Sequence, residues 1–147
     1  LTEDVTGVHL WLILIKAFQS IGGCLSKSLE GTDLGNSDFR VLEVLLHKGP
    51  LPVNTIGPKV FLTPGSISTA VDRLYAKGFV TRTGSSKDRR VHIVDLTPEG
   101  RALITEAFQH HSGLLEELAA VLTPGERARL IRDLKKLGKN AAERLLT

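Results

Sequence analysis

The stretch Thr63-Pro64-Gly65-Ser66-Ile67-Ser68-Thr69-Ala70-Val71-Asp72-Arg73-Leu74-Tyr75-Ala76-Lys77-Gly78 decides how this chain is read. Threonine before proline is a helix start. The hydroxyl satisfies an orphan amide, and proline at the first helical position gives up a donor that had no partner. Gly78 is a C-terminal stop. Ile67, Val71 and Leu74 recur at helical spacing and form a buried face. Ser66, Ser68, Thr69, Asp72 and Arg73 fall on the remaining surface. The stretch is therefore an amphipathic helix whose first exposed turn carries short hydroxyl side chains.

Two β-rich runs follow, Phe79 to Thr83 and Val91 to Leu96. Gly84-Ser85-Ser86-Lys87-Asp88-Arg89-Arg90 separates them, with turn formers first and charges second, which reads as a hairpin with a long basic tip. Upstream, a short helix is expected from about Val53 to Phe61, with Pro58 placed awkwardly inside it. Before that, a helix capped by Ser37 has Val41, Leu42, Leu45 and Leu46 as core positions and ends at Gly49-Pro50. The N-terminal segment has one apolar stripe through Val8, Leu12, Ile15, Phe18, Gly22, Leu25 and Leu29. Trp11, Leu14, Ile21 and Cys24 make a second. A helix apolar around so much of its girth is buried or shared between subunits. Two further helices are expected, from about Pro98 to Val121 and from about Gly125 to Leu146. Thr97-Pro98 and Thr123-Pro124 start them, the latter with a capping box to Glu126.

Charge is unevenly distributed. Residues 1–49 hold four basic and six acidic side chains, residues 50–96 seven and three, and residues 97–147 eight and seven. The net values are −2, +4 and +1, so a polyanion is expected against the middle third. One cysteine excludes an intrachain disulfide and a cysteine-rich zinc cluster, and suits a reducing cytoplasm. The histidines are too scattered to argue a metal site, and no cofactor is expected. The longest apolar run, Leu10 to Ile15, falls short of the roughly 20 residues of a membrane span, so no membrane partner is expected. No nucleophile–base pair, carboxylate cluster or phosphate-cradling glycine loop points to an enzyme.

The order helix, short helix, helix, basic hairpin is that of a winged helix-turn-helix. The fold expected is mainly α with a small β-hairpin wing. Residues 37–96 form the DNA-binding lobe, 1–31 and 98–147 are dimerisation helices, and 1–147 is a single unit. A major groove admits one helix, and small polar side chains on it approach base edges. Thr63, Gly65, Ser66, Ser68 and Thr69 are the candidate readers, and Arg73 the candidate phosphate neutraliser. Lys87, Arg89 and Arg90 are the candidate wing contacts, oriented by Asp88 and reaching a narrow, negative minor groove. A winged helix kept only for protein interaction is the alternative, but it has no need of that basic tip.

The segment Ile56 to Leu74, then Lys77-Gly78-Phe79-Val80-Thr81-Arg82, Asp88-Arg89-Arg90 and Leu96-Thr97-Pro98-Glu99-Gly100, resembles the MarR family of bacterial transcriptional regulators. The resemblance covers nearly the whole chain. Pro58 departs from it, standing where members carry a helix-friendly polar residue. The resemblance implies a homodimer with interlocked terminal helices, and recognition helices in successive major grooves of a pseudo-palindrome. It also implies a repressor released by a small effector, with members answering phenolic or quinone-like compounds the nearest in look. Trp11, Phe18, Arg40 and His47 are candidates to line an effector cleft, although Trp11 and Phe18 read more simply as core or interface residues. Cys24 is a candidate redox sensor, its simpler reading being a buried, inert thiol.

Overall fold

The computed structural model describes residues 2–84 and 91–147. The elements are α1 (Gly7–Ser28), α2 (Asn36–Lys48), β1 (Leu51–Pro52), α3 (Val53–Val60), α4 (Pro64–Ala76), β2 (Val80–Gly84), β3 (His92–Leu96), α5 (Pro98–Ala119) and α6 (Pro124–Leu145). The winged helix-turn-helix order is thus present. The basic tip, with Lys87, Asp88, Arg89 and Arg90, lies outside the described residues.

Two starts follow their sequence signals closely. Thr63 accepts from the Ser66 amide at 3.2 Å, and Thr123 and Glu126 exchange amide bonds at 3.2 and 3.0 Å. One start differs. Gly35, not Ser37, occupies the cap of α2, and Asp38 accepts from the Gly35 amide at 3.3 Å. A carboxylate is the stronger acceptor, and Asp38 is held in place from its other oxygen, as described below. The supporting helix α3 forms with Pro58 inside it, although proline has no amide for the carbonyl one turn back.

The antiparallel sheet has the order β1-β3-β2, with Leu51 opposite Val94 and Val80 opposite Leu96. The two-residue strand β1 was not expected from the sequence. Its Pro52 is tolerated because it lies on a sheet edge. The core is aliphatic, as the low aromatic content requires. Leu42, Leu45, Ile56, Leu74, Val94 and Ile104 are all fully buried, joining α2, α3, α4, β3 and α5 around one centre.

The chain divides into two compact units, residues up to His111 and Ser112–Thr147, where one unit over 1–147 was expected. The physical reason is visible in the second unit. Neither α6 nor the part of α5 beyond His111 contains a buried residue, and Leu130, Ile131, Leu134 and Leu137 are all exposed. In the first unit α1 likewise buries nothing, and Val8, Trp11, Leu12, Ile13 and Phe18 are exposed. At 22 residues and a mean hydropathy of 1.5, α1 is long and apolar enough to cross a membrane by length and composition alone. The short-run reading of Leu10 to Ile15 missed this because it stopped at Lys16.

An aromatic ladder joins α2 to α5. Phe39 and His111 lie 4.6 Å apart, Phe108 and His111 6.4 Å, and His47 meets Phe108 edge-on at 4.7 Å. Burial pushes the His111 imidazole below its ordinary value, opposed by the Glu43 carboxylate. The folded state therefore prefers the neutral ring. Its stability is intact above the ordinary imidazole value and declines as pH falls from there through the lowered one. Melting curves between about pH 7 and pH 5 should show this decline, and His111→Gln should flatten it. An identical pH profile in the variant would show that the ring's titration is not linked to folding.

Candidate nucleic-acid interface

The recognition helix α4 is built from its cap outward. Thr63 donates its hydroxyl proton to Ser66 Oγ at 3.0 Å, and Thr69 donates to the Gly65 carbonyl at 2.9 Å. Both bonds fix side chains in place. Thr63, Gly65, Ser66, Ser68 and Thr69 are all exposed, on the side opposite the buried Ile67, Ala70, Val71 and Leu74. A Cβ added at Gly65 would meet open space, so among the described residues nothing crowds the approach of a ligand backbone there. The structure thus brings the five expected readers to one face.

Arg73 is placed differently from the simple expectation of a phosphate neutraliser. Its Nη2 and Nε donate to one Asp38 carboxylate oxygen at 2.8 and 3.3 Å. The Asp38 side chain is 5% exposed and that of Arg73 46%, so the pair runs from the core to the surface. Its evident work is to tie the last turn of α4 to the first turn of α2. At the C-cap just beyond, Lys77 donates to the Asp33 carbonyl at 2.8 Å.

Sequence reasoning missed Arg82. On β2, its guanidinium lies 4.2 Å from the centre of the Tyr75 ring and donates to Asp72 at 2.5 Å. One side chain therefore joins the base of the wing to two residues of the recognition helix. No local pattern marks the Asp72, Tyr75 and Arg82 set, because only the packing of β2 against α4 brings these residues together. The wing's start is also anchored. Thr97 donates its hydroxyl to the Gly78 carbonyl at 2.7 Å, and its amide to the Phe79 carbonyl at 3.0 Å.

A second concave region lies between α1, α2 and the end of α3. This cleft of about 550 Å³ is lined by Phe18, Arg40, Glu43, Val44, His47, Lys48, Lys59, Val60 and Phe61. It collects three of the four candidate effector residues; Trp11 is not among them and is 59% exposed. Cys24 is exposed rather than buried, on a helix whose apolar faces are uncovered in the single chain.

Residues 34–92 match the model of the MarR family. The HTH-type transcriptional regulator MhqR of Bacillus subtilis is 35% identical over 136 residues, which span 92% of this chain and 94% of that protein. A mutant MarR from Escherichia coli, solved in complex with operator DNA, superposes with a TM-score of 0.80 at 26% identity, covering 92% of this chain and 99% of that one. BpsR of Bordetella bronchiseptica shares the fold, with a TM-score of 0.81 at 23% identity over 88% of this chain and 98% of that one. With its winged helix, its exposed recognition face and these relatives, the chain belongs to the MarR family of DNA-binding transcriptional regulators and is not an enzyme.

Proposed function

We propose that the chain is a cytoplasmic, ligand-responsive repressor that binds a pseudo-palindromic operator as a homodimer. The observation that carries this is the hydroxyl-rich exposed start of α4, on a helix whose C-terminal half is tied to α2 by Arg73–Asp38 and to β2 by Arg82. Thr63, Gly65, Ser66, Ser68 and Thr69 read base edges and nearby phosphates, and Arg73 works chiefly by holding the helix that carries them. Lys87, Arg89 and Arg90, with Asp88 orienting them, enter the flanking minor groove. The uncovered apolar side chains of α1 and α6 support the homodimer, because a second copy is the partner always available to cover them. Such a dimer leaves no need for a bilayer around α1.

The effector belongs in the α1–α2 cleft. Arg40, Lys48 and Lys59 outnumber Glu43 there, His47 adds an imidazole, and Phe18 and Phe61 add aromatic walls. That lining suits a small phenolic or quinone-like aromatic, above all one that carries negative charge.

Selection of bound fragments from random DNA is the direct test. The recovered site should be two-fold symmetric, with half-site centres about 10 bp apart. Replacing Arg89 and Arg90 together with alanine should weaken binding to that site and make it less dependent on salt, because fewer counterions are released. Recovery of no common sequence would favour the interaction-module reading. An unchanged affinity in the double variant would remove the wing from the interface.

A further inference from the structure

We propose that Phe61 is the positioning residue that couples the α1–α2 cleft to the recognition helix. The inference rests on the reading of that cleft as the effector site. Phe61 is the one residue common to the linings of two cavities. One is the cleft of about 550 Å³; the other is a groove of about 370 Å³ between α3 and α4, lined by residues that include Gly57, Pro58, Leu62, Ile67 and Ser68. The first cavity holds the candidate effector residues. The second is walled by α4 itself, with Ser68 belonging to the candidate reading face.

The backbone at Phe61 is strained. With φ 58° and ψ 42° it caps α3 in the left-handed region, alone among the described non-glycine residues. Phenylalanine there sets its Cβ against a carbonyl oxygen, at a cost that glycine avoids. The residue is 90% exposed, so burial among the described residues does not offset the strain. Local bonds impose the conformation: the amides of Phe61 and Leu62 both reach the Gly57 carbonyl, the latter at 3.0 Å. A Cβ at Gly57 would stand 2.9 Å from the Leu62 carbonyl oxygen and 3.2 Å from Ile67 Cγ1. The turn is therefore packed tightly onto α4, and its movement is felt by Ile67.

Arg40 supplies the trigger. Its Nη1 donates to the Val60 carbonyl, the peptide that enters Phe61, at 3.5 Å. A bond of that length is easily exchanged. An anion in the cleft offers Arg40 a charge-assisted partner and so takes it from Val60. The Val60–Phe61 peptide then has only the bonds to the Gly57 carbonyl to keep Phe61 in the left-handed well, and it turns out of that well more easily. The ring swings with it, out of the wall of the α3–α4 groove and over the bound aromatic. Relief of strain at one residue becomes a displacement of the start of α4.

Methyl NMR on the full-length protein tests this without knowledge of the operator. The probe is 4-hydroxybenzoate, an aromatic anion, and the reporter is the δ1 methyl of Ile67, a residue of the α3–α4 groove and not of the cleft. In the native protein the probe should bind and shift the Ile67 resonance. In Phe61→Gly, which accepts the left-handed cap without strain but lacks one aromatic wall of the cleft, the probe should bind more weakly, and at saturating probe most of the Ile67 shift is lost. Phe61→Asn, also at home in that backbone region, should behave alike and guards against a folding defect peculiar to glycine. An undiminished Ile67 shift in both variants overturns the role of Phe61 and leaves the cleft reading intact. So does binding to the native protein with no Ile67 shift. Failure of the probe to bind the native protein, or equal binding by Arg40→Gln, removes the cleft reading and this inference with it.

Discussion

Gly100→Ala should be the most disruptive single-methyl change in the chain. A Cβ at Gly100 would lie 1.9 Å from the Phe79 carbonyl oxygen and 2.8 Å from its carbon. Both are backbone atoms, so no side-chain rotation can relieve the overlap. That oxygen also accepts the Thr97 amide at 3.0 Å, and Gly100 itself donates its amide to the Thr97 hydroxyl at 3.0 Å. Pushing α5 away from the entry to β2 therefore strains the packing and breaks hydrogen bonds together. The combined loss should be about 3 kcal/mol or more, the upper range for overpacking plus a lost bond. Urea unfolding followed by circular dichroism checks it. A variant with native stability would mean that α5 is free to shift, and that the contact with Phe79 does not hold the wing's base.

Arg73→Ala should come next, and should be felt in both stability and DNA binding. Removing the guanidinium leaves the Asp38 carboxylate almost sealed from water, with the Gly35 amide at 3.3 Å as its remaining bond. Breaking one half of a fully buried pair costs several kcal/mol. Here Arg73 is nearly half exposed, so water partly replaces it and about 2 kcal/mol is the reasonable loss. Lysine should rescue poorly, because a single ammonium cannot reproduce the two guanidinium bonds to one oxygen. The double variant Asp38→Leu with Arg73→Met should recover much of the stability, since neither charge is then stranded. Stability measured across this double-mutant cycle gives the coupling directly. A coupling near zero would return Arg73 to a solvent-facing, phosphate-contacting role. Operator affinity should fall in Arg73→Ala with little loss of salt dependence, the mark of a misplaced helix rather than a lost phosphate contact.

Much of this was legible in the chain before any tertiary structure. The threonine–proline starts, Gly78 and the three-and-four spacing of Ile67, Val71 and Leu74 place α4 to within a residue. They do so because capping and amphipathicity act over one or two turns. The exposed face of that helix was legible for the same reason. The start of α2 was misread because Ser37 suits a cap by itself, whereas Gly35 occupies the cap and Asp38, held by the distant Arg73, bonds back to its amide. Arg73 was misplaced by the same reasoning: a basic side chain on an exposed surface looks free until its partner 35 residues away is known. Arg82 carried no local signal at all. Its partners Asp72 and Tyr75 come within reach only when the hairpin folds back along α4.

The division follows the range of the forces involved. Short-range chemistry, which is hydroxyl caps, proline and glycine punctuation and apolar periodicity, decided the elements, their order and the family to which they belong. It also concentrated positive charge between residues 50 and 96. Long-range packing decided what those elements do to one another. It turned Arg73 inward to Asp38, locked the wing's base through Arg82, and set Gly100 against the Phe79 backbone. It also left Phe61 strained between two cavities, a position that no periodicity or motif records. Such contacts depend on which surfaces meet, and that is settled only when the whole core closes.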